Sequence, residues 1–499
     1  MFRNARRAYQ VFFFGLFLYL VLVTSGGSLE GHPVHWFLAV DPLVALSTGL
    51  ASRTLAPHLL WAIPLALLTL VFGRFFCGWI CPMGVLHHVI SRLVRPRRAV
   101  ERIALNASRP MQKVKYLVLL VMLGMAIMGS TQVGLLDPIA STWRALSTTL
   151  FPAADNALGG ARHYQFGFFI TLVFFGALAL NLIWPRLYCR VLCPLGALLG
   201  VLSKFSLFRI SRSAEACTNC KLCTADCSGA ADPMGTCKTA ECMLCLNCID
   251  ACKQSAISYR FLPTGDAHTT RLDLSRRRVV TSAVAGVIAV PLARASDGVG
   301  PRPAPERIRP PGAVAEEEFL ERCIKCGACM KVCPTGGLQP ALRECGIEGL
   351  WTPVLVPRLG HCEQSCVLCS QVCPTAALKP ISVEARYGVP PATEPVRIGS
   401  ASIDRGRCLP WANDTECIVC EEVCPTTPKA VFFKEETITR RDHSQVVLKR
   451  PHIDLDRCIG CGVCEARCPI FDRAAVRVSS VGESRSATNR VVLKGGGKV

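Results

Sequence analysis

The spacing of its cysteines constrains this chain more than any other feature. Of 30 cysteines in 499 residues, 24 fall in six tight groups of four, four form two duplicated pairs, and two stand apart. Disulfide frameworks belong to small secreted domains and scatter their cysteines. Groups with two- and three-residue gaps bring thiols round a common centre, so the pattern points to metal clusters.

Two groups come first: Cys217, Cys220, Cys223, Cys227 and Cys242, Cys245, Cys248, Cys252. Both read Cys-x2-Cys-x2-Cys-x3-Cys, the spacing of a two-cluster ferredoxin. The short gaps wrap a loop round one corner of a cubane and aim backbone amides at its sulfurs. The fourth cysteine usually opens a helix and ligates the other cluster. Zinc is the alternative, but its sites generally use two Cys-x-x-Cys pairs across a longer span. Ser228 and Lys253 replace the usual proline after the fourth cysteine.

Four more groups follow, each ending in Cys-Pro: Cys323, Cys326, Cys329, Cys333; Cys362, Cys366, Cys369, Cys373; Cys408, Cys417, Cys420, Cys424; and Cys458, Cys461, Cys464, Cys468. The outer two are regular and the inner two are loosened at the first gap. That symmetry points to nested pairing, first with fourth and second with third. Six [4Fe–4S] clusters are expected, in α+β ferredoxin-like modules with little hydrophobic core, poorly folded without their clusters. Cys237 and Cys345 are read as packing thiols.

The charge is uneven. Residues 1–295 hold 29 Lys and Arg against 12 Asp and Glu, while the rest is nearly balanced. Long apolar runs occupy the basic part: Tyr9–Ser25, Leu55–Gly73, Tyr116–Leu136 and Phe166–Trp184. Each is long enough to span a bilayer. Arg3, Arg6, Arg7 and eight basic residues between Arg92 and Lys115 place both ends of this bundle on the cytoplasmic side. No basic stripe is interleaved with stacking aromatics, so no nucleic-acid partner is expected.

The bundle is an internal repeat at an offset of 112 residues. Arg74, Cys77, Cys81, Pro82 and Gly84 recur as Arg186, Cys189, Cys193, Pro194 and Gly196, and Asp41-Pro42 echoes Asp137-Pro138 on the outer side. The fold expected is a four-helix transmembrane bundle of two duplicated hairpins. On a helix, cysteines four apart share a face, so Cys77, Cys81, Cys189 and Cys193 together could bind a metal or a cluster, exchange thiols, or simply pack. Asp-Pro is a common helix start, and an outer-face quinol site is the functional alternative for Asp41 and Asp137. His32, His35, His58 and His163 lie on the same side, as exposed or capping residues or as quinone contacts.

Ser275-Arg276-Arg277-Arg278 precedes a weakly apolar run ending Ala293-Arg294-Ala295. This looks like a twin-arginine export signal, which suits a cluster domain folded before translocation. The domains expected are a membrane domain (1–205), a cytoplasmic two-cluster module (206–262), a signal or anchor (270–296), a linker (297–314), a periplasmic four-cluster domain (315–480) and a tail (481–499).

On these motifs the first 260 or so residues resemble NapH-type membrane ferredoxin-type proteins of periplasmic nitrate-reductase systems. The remainder is similar to the exported NapG and MauM polyferredoxins, so the chain resembles a fusion of the pair. NosR-type regulators and CcoG-type copper reductases share the Cys-x-x-x-Cys-Pro pairs. The resemblance implies a multi-pass protein of a bacterial inner membrane that relays electrons from the quinone/quinol pool, or a cytoplasmic donor, to a periplasmic redox protein such as a reductase. A copper-reducing or metalloenzyme-maturation role for the Cys77, Cys81, Cys189 and Cys193 set is the alternative.

Overall fold

In the computed structural model the apolar runs fold as helices. It describes residues 2–24, 29, 32–94, 98–157, 162–235, 237–261, 275–296, 305–342, 344–390, 392, 394–439 and 443–490. Residues 270–274 of the expected signal, 297–304 of the linker and 491–499 of the tail lie outside them.

Among the described residues three helical stretches are long and apolar enough to cross a membrane: Phe2–Val23, Ala99–Ile127, whose apolar part is the Val114–Ile127 helix, and Arg276–Ala295. Shorter apolar helices cover Pro42–Ser52, Pro57–Phe72, Gly167–Leu182 and Pro194–Ser203. Phe12, Leu67, Phe168, Leu172 and Leu292 point large apolar side chains outward, as a lipid-facing surface requires.

The duplicated halves are visible in three dimensions, with one departure from the sequence expectation. The third apolar run does not continue as helix to Leu136. Its helix ends at Ile127, Gly129 takes a left-handed φ of 76°, and the chain turns back into the bundle. It re-enters as the Pro138–Ala145 helix, every residue of which is buried; Pro42–Ser52 is its counterpart in the first half. Asp41 and Asp137 therefore do not sit on an outer surface. Each caps its short helix from inside the bundle: Leu43 N donates to Asp41 Oδ1 at 2.7 Å, and Ala140 N to Asp137 Oδ1 at 2.8 Å. The two carboxyl groups lie against each other.

A fifth apolar helix joins the four that were expected. Arg276–Ser296 lies along Val114–Ile127, held close by glycines on both sides. A Cβ on Gly286 would stand 2.1 Å from the Val121 carbonyl oxygen, and one on Gly124 2.7 Å from that of Ala283. Small residues at such contacts let backbones approach and gain dispersion where lipid offers no hydrophobic drive.

Each pair of cysteine groups is closed by antiparallel strand pairing between the segments that flank it. Phe208–Arg212 pairs with Ile257–Phe261 round the first two groups. An Ala313–Leu378 bridge closes the next two, and Ser400–Ile403 pairs with Val476–Ser479 round the last two. The pairing is thus sequential. The nested order expected from the gap lengths is wrong, because those gaps reflect local insertions. A long hairpin, Val431–Thr439 with Gln445–Ile453, is inserted inside the last module.

The outer domain is tied together by one charged knot. Burial alone would push Glu316 up, but Arg309, Arg307 and Arg485 around it hold its carboxyl at about 2. Arg309 Nη2 donates to it at 2.6 Å and Arg485 Nη1 at 2.8 Å, joining the start of the domain to its end. Removing one partner of a buried ion pair leaves its cations uncompensated. Glu316→Gln should therefore destabilise the outer domain by about 3 kcal/mol, read as a shift in its denaturant midpoint. Gly286→Leu should separate the Arg276–Ser296 helix from its neighbour, read as faster proteolysis after Phe261 in membranes; unchanged digestion would contradict the packing described.

Candidate iron–sulfur sites and a buried cysteine quartet

The cysteine groups present their thiols by a shared backbone device. In all four regular groups the residues just before and just after the second cysteine have left-handed φ: Asn219 and Lys221, Leu244 and Leu246, Lys325 and Gly327, Gly460 and Gly462. This alternation turns successive amides inward. The Asn219, Leu244, Lys325 and Gly460 amides reach the sulfurs of Cys217, Cys242, Cys323 and Cys458. Left-handed backbone costs a residue with a side chain about 1 kcal/mol or more, and five of these eight positions are not glycine. The sum rivals the stability of a small domain, so something bound to the loops must offset it. Thiolate-ligated cubanes, which accept amide hydrogen bonds on sulfur, fit that requirement.

The fourth cysteine of each group crosses to its neighbour. Cys227 lies in the field of Cys242 and Cys245. Cys373 acts on Cys323, Cys326 and Cys329, while Cys333 acts on Cys362, Cys366 and Cys369. In the last module Cys468 acts on Cys408 and Cys420, and Cys424 on Cys458, Cys461 and Cys464. Cys252 packs on the small core of the first module, which contains Cys223 and Cys248. Cys417 lies in the field of Cys408 and Cys420, and Cys220 in that of Cys223. In the two outer modules each set thus takes three thiols from one group and one from the next, and in the first module Cys227 crosses in the same way. Among the described residues no three Cys, His, Asp or Glu side chains converge tightly enough for a single metal ion. Of the spare thiols, Cys237 touches Cys242, and Cys345 packs against Ala341 and Val354.

The modules are joined to each other and to the membrane helices. Cys362 N donates to Cys461 O at 2.8 Å between the two outer modules. On one side of the bundle, Trp79 Nε1 donates to Leu244 O at 2.8 Å and Arg6 Nη1 to Cys245 O at 2.8 Å. On the other, Arg144 Nη1 donates to Lys325 O at 2.9 Å and Tyr164 OH to Met330 O at 2.9 Å.

Between these two docking faces the Cys-x-x-x-Cys-Pro pairs come together. Cys81, Cys189 and Cys193 are buried and Cys77 is half-buried; each lies within electrostatic reach of the others. They do not share one helix face as their spacing predicts. The residue before proline avoids helical backbone, so Cys81 and Cys193 are extended, with ψ of 122° and 111°, and each caps the helix its proline starts. Cys77 and Cys189 sit on the preceding helical turns. The matched arginines, given no role by the sequence argument, prove part of the site. Arg74 and Arg186 are each 1% exposed. Arg74 Nε donates to Cys77 Sγ at 3.2 Å and its charge also acts on Cys193; Arg186 acts on Cys189. Both Nη atoms of Arg74 lack a protein acceptor among the described residues. Buried guanidinium is costly unless compensated, and thiolates holding an anionic cluster would compensate it.

The quartet has neighbours on both sides. Met243 of the first module covers it, its sulfur accepting from Arg186 Nη1 at 3.2 Å. Opposite, Tyr188 stands among Cys81, Cys189 and Cys193 and next to Asp137, and donates to Leu136 O. Arg144 faces Tyr188, Asp137 and Cys326. One continuous buried core contains Met243, the quartet's buried thiols, Tyr188, Trp143, Cys323 and Cys326. Of the histidines expected on the outer side, His35 and His58 stack edge-on at 4.9 Å.

Comparison with known proteins agrees with this geometry. A 4Fe-4S binding domain family matches residues 55–101 and 166–213, stretches whose cysteines are the four of the quartet. A second 4Fe-4S binding domain matches 319–339, and a 4Fe-4S dicluster domain matches 413–471, which covers most of the last module. The chain is therefore an iron–sulfur protein of the ferredoxin type. It is 35% identical over 176 residues to the methylamine utilization ferredoxin-type protein MauM of Methylorubrum extorquens, covering 34% of this chain and 71% of that one. It is 32% identical over 202 residues to the ferredoxin-type protein NapG of Escherichia coli, covering 40% and 82%. The chain belongs to this family of ferredoxin-type electron-transfer proteins. It is also 33% identical over 232 residues to the regulatory protein NosR of Pseudomonas aeruginosa, covering 46% of this chain but only 28% of NosR. No solved structure matches.

The backbone device makes a clean prediction. Lys221 is exposed and has a φ of 58°. Lys221→Gly should leave cluster retention unchanged or improve it, whereas Lys221→Val should cost about 1–2 kcal/mol. The check is the rate of absorbance loss near 400 nm under chelator; equal rates for the two variants would contradict the account.

Proposed function

We propose that the chain passes electrons across a membrane, from the quinol pool or a donor on the side of the first module to a redox partner on the side of the outer domain. Six [4Fe–4S] clusters are assigned to the six crossed cysteine sets, and a seventh thiolate-held redox centre to Cys77, Cys81, Cys189 and Cys193. When bound, each such centre takes up and gives back one electron. The observation that carries the reading is the buried connection from Met243, next to Cys242 of the first module, through the quartet and Tyr188 to Arg144 and Cys326.

The residues supply position and charge. Arg74 and Arg186 set positive charge beside the quartet and stabilise negative charge added there. Tyr188 and the paired Asp41 and Asp137 offer groups that can hold a proton inside the bundle. Crossed thiols lock each module as a unit, and the Cys362–Cys461 backbone bond sets the two outer modules side by side. The Arg276–Ser296 helix, packed on its neighbour, serves as a retained fifth anchor rather than a cleaved signal. The basic flanks support an arrangement with the first module in the cytoplasm and the outer domain in the periplasm. The alternative of copper handling is less favoured, because Cys81, Cys189 and Cys193 are buried and Met243 of the first module packs against the turn between Cys77 and Cys81.

Cys189→Ser tests the route. In membranes given a soluble quinol, the wild type should reduce its outer clusters within turnover time, and the variant should do so at least 100-fold more slowly, with the EPR signals of the dithionite-reduced cubanes preserved. Equal rates would refute the role of the quartet, and copper(II) reduction without cluster reduction would favour the alternative.

A further inference from the structure

A second buried feature borders that route at Arg186 and Arg6. On the face that carries the first module, a cavity of about 490 Å³ opens between the start of the Phe2–Val23 helix, the end of Pro82–Leu93, the Ala99–Leu105 helix and the turn at Pro185. Six arginines line it: Arg3, Arg6, Arg7, Arg92, Arg102 and Arg186. Asp226 is the one acidic side chain in the lining, and Arg102 already binds it at 3.1 Å. Basic flanks of membrane helices ordinarily spread through loops into water; these come from four separate segments and converge.

The convergence is unfavourable as it stands. Arg6 is 1% exposed, and Arg7 and Arg186 repel it. The Nε groups of Arg6, Arg7 and Arg102 have no acceptor among the described residues. His88, also in the lining, is pushed down to about 3 by burial and then by the charges of Arg186, Arg6, Arg7 and Arg92. The protein thus holds a strong positive field over a cavity with unused planar donors. Guanidinium forks match the oxygens of a phosphate group, and basic pockets between membrane helices at the interface recognise anionic head groups.

We propose that this cavity is a binding site for a phosphate-bearing anion, supplied either by the head group of an anionic phospholipid in that leaflet or by soluble phosphate. Occupancy is coupled to the first module, because Arg6 donates to Cys245 O at 2.8 Å. An anion there lowers the positive potential felt by the second group of cysteines and makes reduction beside it harder.

The test uses full-length holoprotein in nanodiscs of phosphatidylcholine with or without phosphatidylglycerol, delipidated gently and read by native mass spectrometry. A second arm titrates inorganic phosphate into phosphatidylcholine nanodiscs. Arg7→Gln/Arg92→Gln removes two charges that make no contact with the cysteine groups, and Arg7→Lys/Arg92→Lys keeps them; cluster absorbance verifies folding. Wild type should retain phosphatidylglycerol at least about tenfold better than the Gln variant, with the Lys variant between. Phosphate binding to wild type but not to the Gln variant, without lipid retention, identifies the soluble source. Absence of both, or equal retention by a folded Gln variant, overturns the site.

Discussion

The exchange of the fourth cysteine between neighbouring groups is the constraint on which the rest of the structure depends. A set drawn from one group alone would leave each loop a separate bead. Crossing over makes each pair of groups one body, and the flanking strands then have to meet, as they do at Phe208–Arg212 with Ile257–Phe261 and at Ser400–Ile403 with Val476–Ser479. The buried clusters of the first and last modules are small, so their rigidity comes from the thiols and from the left-handed loops that aim amides at them, whereas the Cys323–Cys373 module, against the expectation of little hydrophobic core, shares the aliphatic core of the bundle. The arrangement also sets order: the Cys323–Cys373 module presents its first group towards Arg144 and Tyr164 of the bundle and its second towards Cys461 of the last module.

Charge supplies the second principle. Thiolate sets concentrate negative charge, and the chain answers with buried guanidinia. Arg74 and Arg186 flank the quartet, and Arg144 stands between Asp137 and Cys326. This explains why a bundle with so many apolar residues keeps arginines in its interior, where unpaired charge would be prohibitive.

Much of this was legible in the sequence. The six groups, the spare status of Cys345, the duplicated halves and the capping roles of Asp41 and Asp137 follow from spacing and local backbone rules. The pairing order was not legible, because the gaps within Cys362–Cys369 and Cys408–Cys420 report loop insertions, while pairing is decided by strands such as Val476–Ser479 far along the chain. The inward turn after Ile127 is marked by Gly129, Ser130, Thr131 and Gln132, a short polar break that the apolar residues on either side of it obscure. The arginine at the head of each repeat was visible as a match, but its role needed the fold, which places Arg74 of one half against Gly196 of the other. Similarly, the sequence left the two sides of the membrane unconnected; Tyr188 and Arg144 acquire meaning only when their neighbours are known.

The central claim is that the four membrane cysteines carry a redox centre of their own. Iron accounting by Mössbauer spectroscopy on purified, iron-57-enriched protein tests it most directly, comparing wild type with a variant in which Cys77, Cys81, Cys189 and Cys193 are all serine. The account predicts that the wild type holds more iron than the six crossed sets require, and that the variant loses that excess while the cubane signals of the other sets persist. Identical iron content and identical spectra in the two proteins would contradict it.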